Sequence, residues 1–409
     1  MKAGAVDVAI VGGGPAGAVT AMLLAQRGLD VVLLERAPAW RWRACGVFTS
    51  PATVKALQRV GVSATDLARV CRPIPAMRVE TPRGTSFALS YGGTGSLADS
   101  PVGLDRSVLD PMFLAMAGSA GADVRTGVTV ESVRLADASD APVAQLTMSG
   151  GRQLEASVVV GADGLRSIVA AAAGVARPPA LGRRTGLTFH VPDGVSRTEG
   201  VVHDLPMDAR MVVIEHGYVG LAPVPGNRLN VGIVLGASWL PRLRQEGAAR
   251  VARSILDRIH PPGTADATRV LDHVAGASPL GTGARRRAGV GWLVVGDAAG
   301  FLDPFTGEGL HRAIVSAEMA VEAIMRSRVA GASADLRGYD AAMRSRFAMK
   351  DLVSRITQAF LGQPALFEYA ARRLAARSEL RETMGLVIGD LAPASRALDP
   401  RFLARLLAP

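Results

Sequence analysis

Three carboxylates in this chain follow apolar runs of the kind that form buried strands. Glu35 closes Val31-Val-Leu-Leu-Glu35, Asp163 follows Ala156-Ser-Val-Val-Val-Gly161, and Asp297 follows Trp292-Leu-Val-Val-Gly296. Ligands of open α/β sheets gather at the carboxyl ends of strands, where such acids can accept hydrogen bonds from sugar hydroxyls. Each acid has glycines near it. Gly12, Gly14 and Gly17 fall on G-x-G-x-x-G ahead of Glu35, Gly164 follows Asp163, and Gly307 and Gly309 flank Glu308 beyond Asp297. The first glycine of such a fingerprint permits the turn and the second lets backbone approach a pyrophosphate. The third lets the helix pack on its strand, with the helix N-terminus facing negative charge. The chemistry this predicts is the cradling of a dinucleotide. The sequence offers no cluster at metal-ligand spacing and no serine or cysteine nucleophile triad, so no metal is expected.

The elements that must position these groups follow in order. Residues 7–11 read as a strand, 16–26 as an amphipathic helix ending at Gly28, and 30–35 as a second strand. Residues 36–50, rich in Arg and Trp and without a period, read as a loop leaving the nucleotide site. Arg36 and Arg43 in that loop are candidate cofactor contacts. The residues leave Cys45 open: it suits a small buried hydrophobe, or a thiol of lowered pKa if the arginines lie close. Pro51 opens a helix through residue 60, because proline is well tolerated at a first helical position. Residues 77–90 alternate about a Pro-Arg-Gly turn and read as a hairpin. Asp105 is placed to cap a helix running to about residue 118, with Arg106 in its first turn.

Strands are expected over 123–133, 144–147 and 156–161, then Asp163-Gly164 and a helix to about residue 173. From 177 to 276 the alternation at 185–191, 211–215, 219–223 and 229–235 suits an antiparallel sheet, with a helix over 239–259. A buried strand ending at Asp297 returns, followed by a long helix to about residue 328 and a mostly helical tail over 336–409. The fold class expected is therefore α/β. A Rossmann-type dinucleotide domain (1–75, 100–175 and 277–330) is interleaved with an antiparallel-sheet substrate domain (76–99 and 176–276), and a helical C-terminal region covers 331–409.

The chain has 409 residues, a length that suits two interleaved domains and a tail, and a formal net charge of +10. Almost all its cations are Arg, because Lys stands only at positions 2, 55 and 350. That skew follows genome composition as readily as function, so no nucleic-acid partner is expected. The basic balance instead favours an anionic ligand or an anionic membrane surface. Cys45 and Cys71 are the only cysteines, which suits a reducing cytoplasm, and no apolar run reaches the ~18 residues that span a bilayer. The expectation is a cytoplasmic protein, with peripheral membrane contact open and oligomeric state unread.

Together, GGGPAG with Glu35, GADGLRS and GDAAGFLDPFTGEG resemble, in order and spacing, the three nucleotide motifs of the FAD-dependent monooxygenase superfamily. Within it, Arg43-Ala-Cys-Gly46 and the last string are most similar to the geranylgeranyl reductase family, which saturates prenyl double bonds. The resemblance implies FAD in an extended conformation. It implies that Glu35 holds the adenosine ribose, that Arg106, Asp163 and Gly164 lie along the cofactor, and that Asp297 holds the ribitol. It further implies that Gly307, Glu308 and Gly309 lie by the isoalloxazine and that Cys45 and Gly46 border the flavin. The family's double glycine is here Gly46-Val47. Its Tyr-x-Trp-x-Phe-Pro signature corresponds to Tyr218-Val-Gly220-Leu-Ala222-Pro223, with small residues where two aromatics would stand, which implies a differently shaped pocket. The Trp40-Arg-Trp42 pair is similar to a feature of flavin halogenases but lacks their following Ile-Pro and stands elsewhere in the chain.

The implied chemistry has two half-reactions. NAD(P)H reduces FAD without a second dinucleotide fingerprint. The reduced cofactor then either gives hydride to a carbon-carbon double bond of an isoprenoid-like or other hydrophobic substrate while an acid supplies a proton, or meets oxygen and hydroxylates an aromatic or polyketide-like substrate. Gly300 and the Gly307-Glu308-Gly309 turn match the reductases. Cys45, Gly46 and Tyr218 are the expected catalytic positions.

Overall fold

The computed structural model describes residues 5–44, 46–92, 97, 99–136, 143–179, 182–193, 207–259, 270–329 and 334–408. Val6–Val11 lies at the centre of a sheet, pairing in parallel with Val31–Glu35 on one side and Gln153–Gly161 on the other. Asp123–Thr126 extends it in parallel beyond Val31–Glu35. The far edge of Gln153–Gly161 is shared. Trp292–Val294 runs parallel along its last residues, while Ala144–Met148 runs antiparallel along its first, with Val130–Arg134 outside. Near-continuous Val, Ile and Leu in the inner strands reflect burial on both faces, as parallel strands require. Because the strands bearing Glu35, Asp163 and Asp297 are mutually parallel, all three acids leave the sheet at one end.

The helix Pro15–Ala25 differs from its amphipathic expectation. Ala18, Val19, Ala21, Met22 and Leu24 point around its whole circumference, and all are buried. It lies on the sheet and is closed in by the helices Arg106–Ser119 and Gly309–Val329, leaving it no solvated face. A helix apolar all round belongs to such a core position.

The second sheet has seven strands in the order Ala275–Ala277, Thr185–Pro192, Arg228–Leu235, Gly217–Val224, Ala209–Ile214, Ala76–Glu80 and Ser86–Ser90. It is antiparallel except where Ala209–Ile214 lies parallel to Ala76–Glu80. At that junction a hairpin from early in the chain joins strands from much later. Period-two alternation sends Tyr218 and Ala222 to one face and Val219 and Leu221 to the other. Val251, Ile255 and Leu256 of the helix Ala248–Ile259 cover the second face. The single helix expected over 239–259 is two, Leu240–Glu246 and Ala248–Ile259, because Gly247 between them adopts φ +82°.

The first face is covered by the C-terminal helices Arg337–Leu361, Pro364–Ala376, Ser378–Ile388 and Pro400–Leu407. Phe367, Leu374, Val387 and Phe402 pack with Met77, Phe87, Leu89 and Tyr91, each large side chain contributing about 1.5–3 kcal/mol of burial. Glu368 pins the hairpin turn to these helices, accepting from the Thr81 and Thr85 hydroxyls at 2.6 Å each. Among the described residues no helix is long and apolar enough to cross a membrane. Cys71 is buried in a small sheet of Phe48–Thr49, Val102–Leu104 and Cys71–Pro73, where burial pushes its thiol up to about 12 and leaves it unreactive.

Candidate functional site

At one end of the site the backbone is folded too tightly for side chains. Gly12 adopts φ +105°, and a Cβ there would stand 2.4 Å from the Ala162 carbonyl oxygen, while one on Gly17 would stand 2.0 Å from the Gly12 carbonyl oxygen. These contacts bring Pro15–Ala25 down onto the strand ends. At Gly14 a Cβ would meet nothing, so the turn opens to a space there, and the helix starts at Gly14 with no side-chain cap. Uncapped N–H groups over an open glycine form an anion site. Beside it Glu35 is buried, its Oε2 accepting from the Gly13 N–H at 2.7 Å and its Oε1 from the Ala37 N–H at 3.0 Å. Arg43 reaches Glu35 only at 3.8 Å, and Arg36 is exposed.

Further along, Arg106 is buried and committed within the protein. It forms a bidentate pair with Asp110 at 2.7 and 3.0 Å and donates to the Gly46 carbonyl at 2.9 Å. It therefore holds the 46–48 backbone over the start of its own helix, which Asp105 caps through the Ser107 N–H at 3.0 Å. Cys45 lies outside the described residues. Asp163 accepts from the Ile168 N–H at 2.6 Å through Oδ2, while its buried Oδ1 has no partner among the described residues. Burial raises its carboxyl, opposed by Ser167 and by backbone N–H groups. Gly164 follows at φ +77°. Asp297 is half-buried, and burial pushes its carboxyl up to about 6 against the pull of Arg106 and Arg312.

At the far end Gly307 adopts φ +68° and lies against Phe48, whose ring would stand 2.7 Å from a Cβ there. Gly309 opens the long helix. Glu308 lies 3.4 Å from Lys350. Tyr218 is buried and donates to Asp303 Oδ1 at 2.6 Å, with the Phe305 ring edge-on at 5.1 Å. Burial and then the Asp303 charge raise its hydroxyl well above the ordinary range, with Arg184 opposing, so it titrates far from neutrality. Asp303 also accepts from Gln358 at 2.7 Å, the Phe305 N–H at 3.0 Å and Arg184 at 2.6 Å. One carboxylate thus ties the loop after Asp297 to the mixed sheet and to the C-terminal helix Arg337–Leu361.

Residues 5–350 match the FAD binding domain family. The chain belongs to that family. It is 26% identical over 336 residues to digeranylgeranylglycerophospholipid reductase 1 of Methanococcoides burtonii, covering 79% of this chain and 76% of that protein. Among solved structures it is similar to the flavin-dependent halogenase CmlS, with a TM-score of 0.71 and 26% identity over 85% of this chain and 63% of that one. It also shares its fold with a geranylgeranyl bacteriochlorophyll reductase-like protein from Thermoplasma acidophilum, with a TM-score of 0.71 and 21% identity over 99% and 96% of the two chains. The chain is an FAD-dependent oxidoreductase of α/β architecture.

This FAD enzyme's own residues fit the cofactor. The open glycine at position 14, the uncapped helix start and the orphaned Asp163 oxygen together leave donors and an acceptor where a dinucleotide needs them. Among the described residues the structure gathers Gly12, Gly14, Gly17, Glu35 and Arg43 at one end, and Arg106, Asp297, Gly307 and Tyr218 toward the other. Sequence reasoning missed Asp303, Arg184, Gln358 and Asp110. Asp303-Pro304 inside the glycine-rich string was the one available signal. Arg184 and Gln358 lie in segments whose patterns say only strand and helix.

Proposed function

We propose that the enzyme reduces a carbon-carbon double bond of an isoprenoid-like hydrophobic substrate, using electrons that NAD(P)H delivers to FAD. The observation that carries this reading is the apolar wall at the far end of the site. Phe48, Phe301, Phe305, Tyr91 and Tyr218 belong to one hydrophobic cluster there, with Phe48 against Gly307, surroundings that suit a prenyl chain better than a polar metabolite. The name of the Methanococcoides relative points the same way.

FAD supplies hydride chemistry that no side chain can. The chain binds and orients it. Gly12, Gly14, Gly17 and the helix start receive the pyrophosphate, Glu35 the ribose, Asp163 and Asp297 the hydroxyls between, and Gly307 and Gly309 the ring edge. Arg106 acts by holding the 46–48 backbone against the ring side, and Arg36 and Arg43 flank the adenosine end. Tyr218, locked by Asp303, is a wall and not a proton source. Residues 1–75, 100–175 and 277–330 form the FAD-binding part in this reading, and residues 76–99 and 176–276 the substrate part. The C-terminal helices cover one face of the substrate part's sheet. Exposed Met349, Leu352 and Leu407 stand among arginines on that region, which suits peripheral contact with an anionic membrane carrying the substrate.

Enzyme reduced without oxygen is expected to be reoxidised by an isoprenoid bearing isolated double bonds, with a saturated product. Oxygen incorporated stoichiometrically into product, with no anaerobic turnover, would replace this reading with hydroxylation.

A further inference from the structure

Two glycines stand side by side in the middle of the second sheet, and no requirement of the fold accounts for them. We propose that Gly220 and Gly232 are the bed on which the substrate lies, and that their bareness fits an isoprenoid joined to a flat ring. The bed rests on the double-bond reading above and narrows the class of substrate within it.

Gly220 and Gly232 pair directly with each other across the strands Gly217–Val224 and Arg228–Leu235. A glycine inside a strand weakens it, and it marks a bulge, a tight bend or a surface that another backbone or a ligand approaches. The register runs unshifted from Gly217 with Leu235 to Val224 with Arg228, and neither glycine adopts a positive φ, so there is no bulge or bend. Close backbone accounts for other glycines of this region. A Cβ on Gly217 would stand 2.3 Å from the Val234 carbonyl oxygen, and one on Gly103 1.9 Å from the Pro223 carbonyl oxygen. At Gly232 a Cβ would meet only the Gly220 carbonyl oxygen, at 3.9 Å, and at Gly220 its nearest neighbour would be Met211 Cε, at 3.7 Å. After the first residue of each strand, these two glycines are half-buried while every other residue is buried. A ligand is the explanation left.

Strand pairing sets rows of side chains across this face. Gly220 and Gly232 fall in one row, with Met211 and Thr188 at its ends, while Tyr218 and Val234 stand in the row on one side and Ala222 and Asn230 in the row on the other. The two flanking rows are therefore ~13 Å apart along the strands, with bare backbone between them. The Tyr218 bank is tied to the loop before Gly307 by its bond to Asp303 and by the Phe305 ring. The Asn230 bank continues to His190, whose ring lies 4.5 Å from that of Trp42, and Trp42 Nε1 donates to the Thr188 carbonyl at 3.1 Å. The bed thus lies between the segments that lead to Gly307 and to Gly46, where the FAD reading sets the ring edge. Its N–H and C=O groups are spent in the sheet, so it offers a flat surface with no polar demand. A prenyl chain crosses such a floor as a narrow ridge, whereas a ring lying flat covers both glycines and removes more apolar surface from water. Met211 adds a preference for unsaturated rings, because its Sδ borders the bed, 3.9 Å from where a Gly220 Cβ would stand, and a thioether favours a ring edge.

Geraniol and ortho-geranylphenol carry the same chain without and with a ring, and each can be titrated into the oxidised holoenzyme and read by the shift of the flavin's visible band. Wild type should bind the phenol roughly 10-fold or more tightly than geraniol. Gly232→Leu, which fills the bed, should weaken the phenol about 10-fold more than it weakens geraniol, and Gly232→Ala should act in the same sense but less. The thermal midpoint of Gly232→Ala should hold or rise, because alanine costs a strand interior less than glycine does; a glycine that the fold required would lower it. Should Gly232→Leu not fold, Gly232→Ala decides by the same two readings. A phenol preference unchanged in the Gly232 variants, a lowered midpoint in Gly232→Ala, or no flavin shift with either compound would overturn the assignment. Anaerobic reoxidation of the reduced enzyme tests the double-bond reading apart from this: if neither compound reoxidises it, that reading fails, while the binding preference and its loss in the variants still decide the bed.

Discussion

Replacing Glu35 with alanine should damage the protein twice, and the two injuries can be measured apart. The carboxylate accepts the Gly13 N–H at 2.7 Å and the Ala37 N–H at 3.0 Å and is buried. Its loss strands two buried donors at about 1–3 kcal/mol each, so the apoprotein should lose roughly 2–5 kcal/mol of unfolding free energy in urea. The second injury is to the ligand. One charge-assisted hydrogen bond to a ribose hydroxyl contributes roughly 1.5–3 kcal/mol, so FAD should bind about 10- to 100-fold more weakly. Glu35→Gln should fall between, because the amide can accept from one N–H but presents its NH₂ to the other. Arg43→Ala is the control: its side chain is 40% exposed and its guanidinium 3.8 Å away, so the expected cost is below about 1 kcal/mol. Fluorescence titration of FAD into folded Glu35→Ala, at a urea concentration of zero, is the deciding assay. Wild-type affinity there would refute the ribose assignment, even if the stability loss appeared in full.

Two further perturbations follow from the same site. Asp303→Asn removes the charge opposite Arg184, whose side chain is only 14% exposed; a buried cation left without its partner should cost about 3–5 kcal/mol in urea unfolding, and a loss under about 1 kcal/mol would count against Asp303 as the tie between loop, sheet and C-terminal helix. Asp297 has a folded value of about 6 against an ordinary 3.8, raised by burial with Arg106 and Arg312 opposing. Because the folded value is the higher, its contribution to stability is present below about 3.8 and is lost as pH rises through about 6. Apo Asp297→Asn should therefore match wild type near pH ~4 and exceed it by roughly 1–3 kcal/mol above pH ~6. Parallel stability-versus-pH curves for the two proteins would show the reasoning to be wrong.

Much of the nucleotide end was legible in the sequence because its determinants are local. Gly12, Gly14 and Gly17 answer backbone constraints within one strand-turn-helix unit, and Glu35, Asp163 and Asp297 are placed by the apolar runs before them. Period-two alternation likewise announced the strands of the second sheet, and Asp105 its capped helix. Local patterning failed where a neighbour distant in sequence sets the environment. Pro15–Ala25 lost its expected solvated face to two helices contributed by residues far along the chain, and the parallel junction at Ala209–Ile214 arose from the early hairpin Ala76–Glu80. The far end of the site was decided by tertiary structure almost entirely. Tyr218 donates to Asp303, and Lys350 brings Glu308 and Asp390 together. The lysine's rarity in an arginine-rich chain was visible, but its burial was not. Charge in a protein interior depends on which groups meet there and how far water is excluded, and no one-dimensional spacing encodes a meeting between residues 308, 350 and 390.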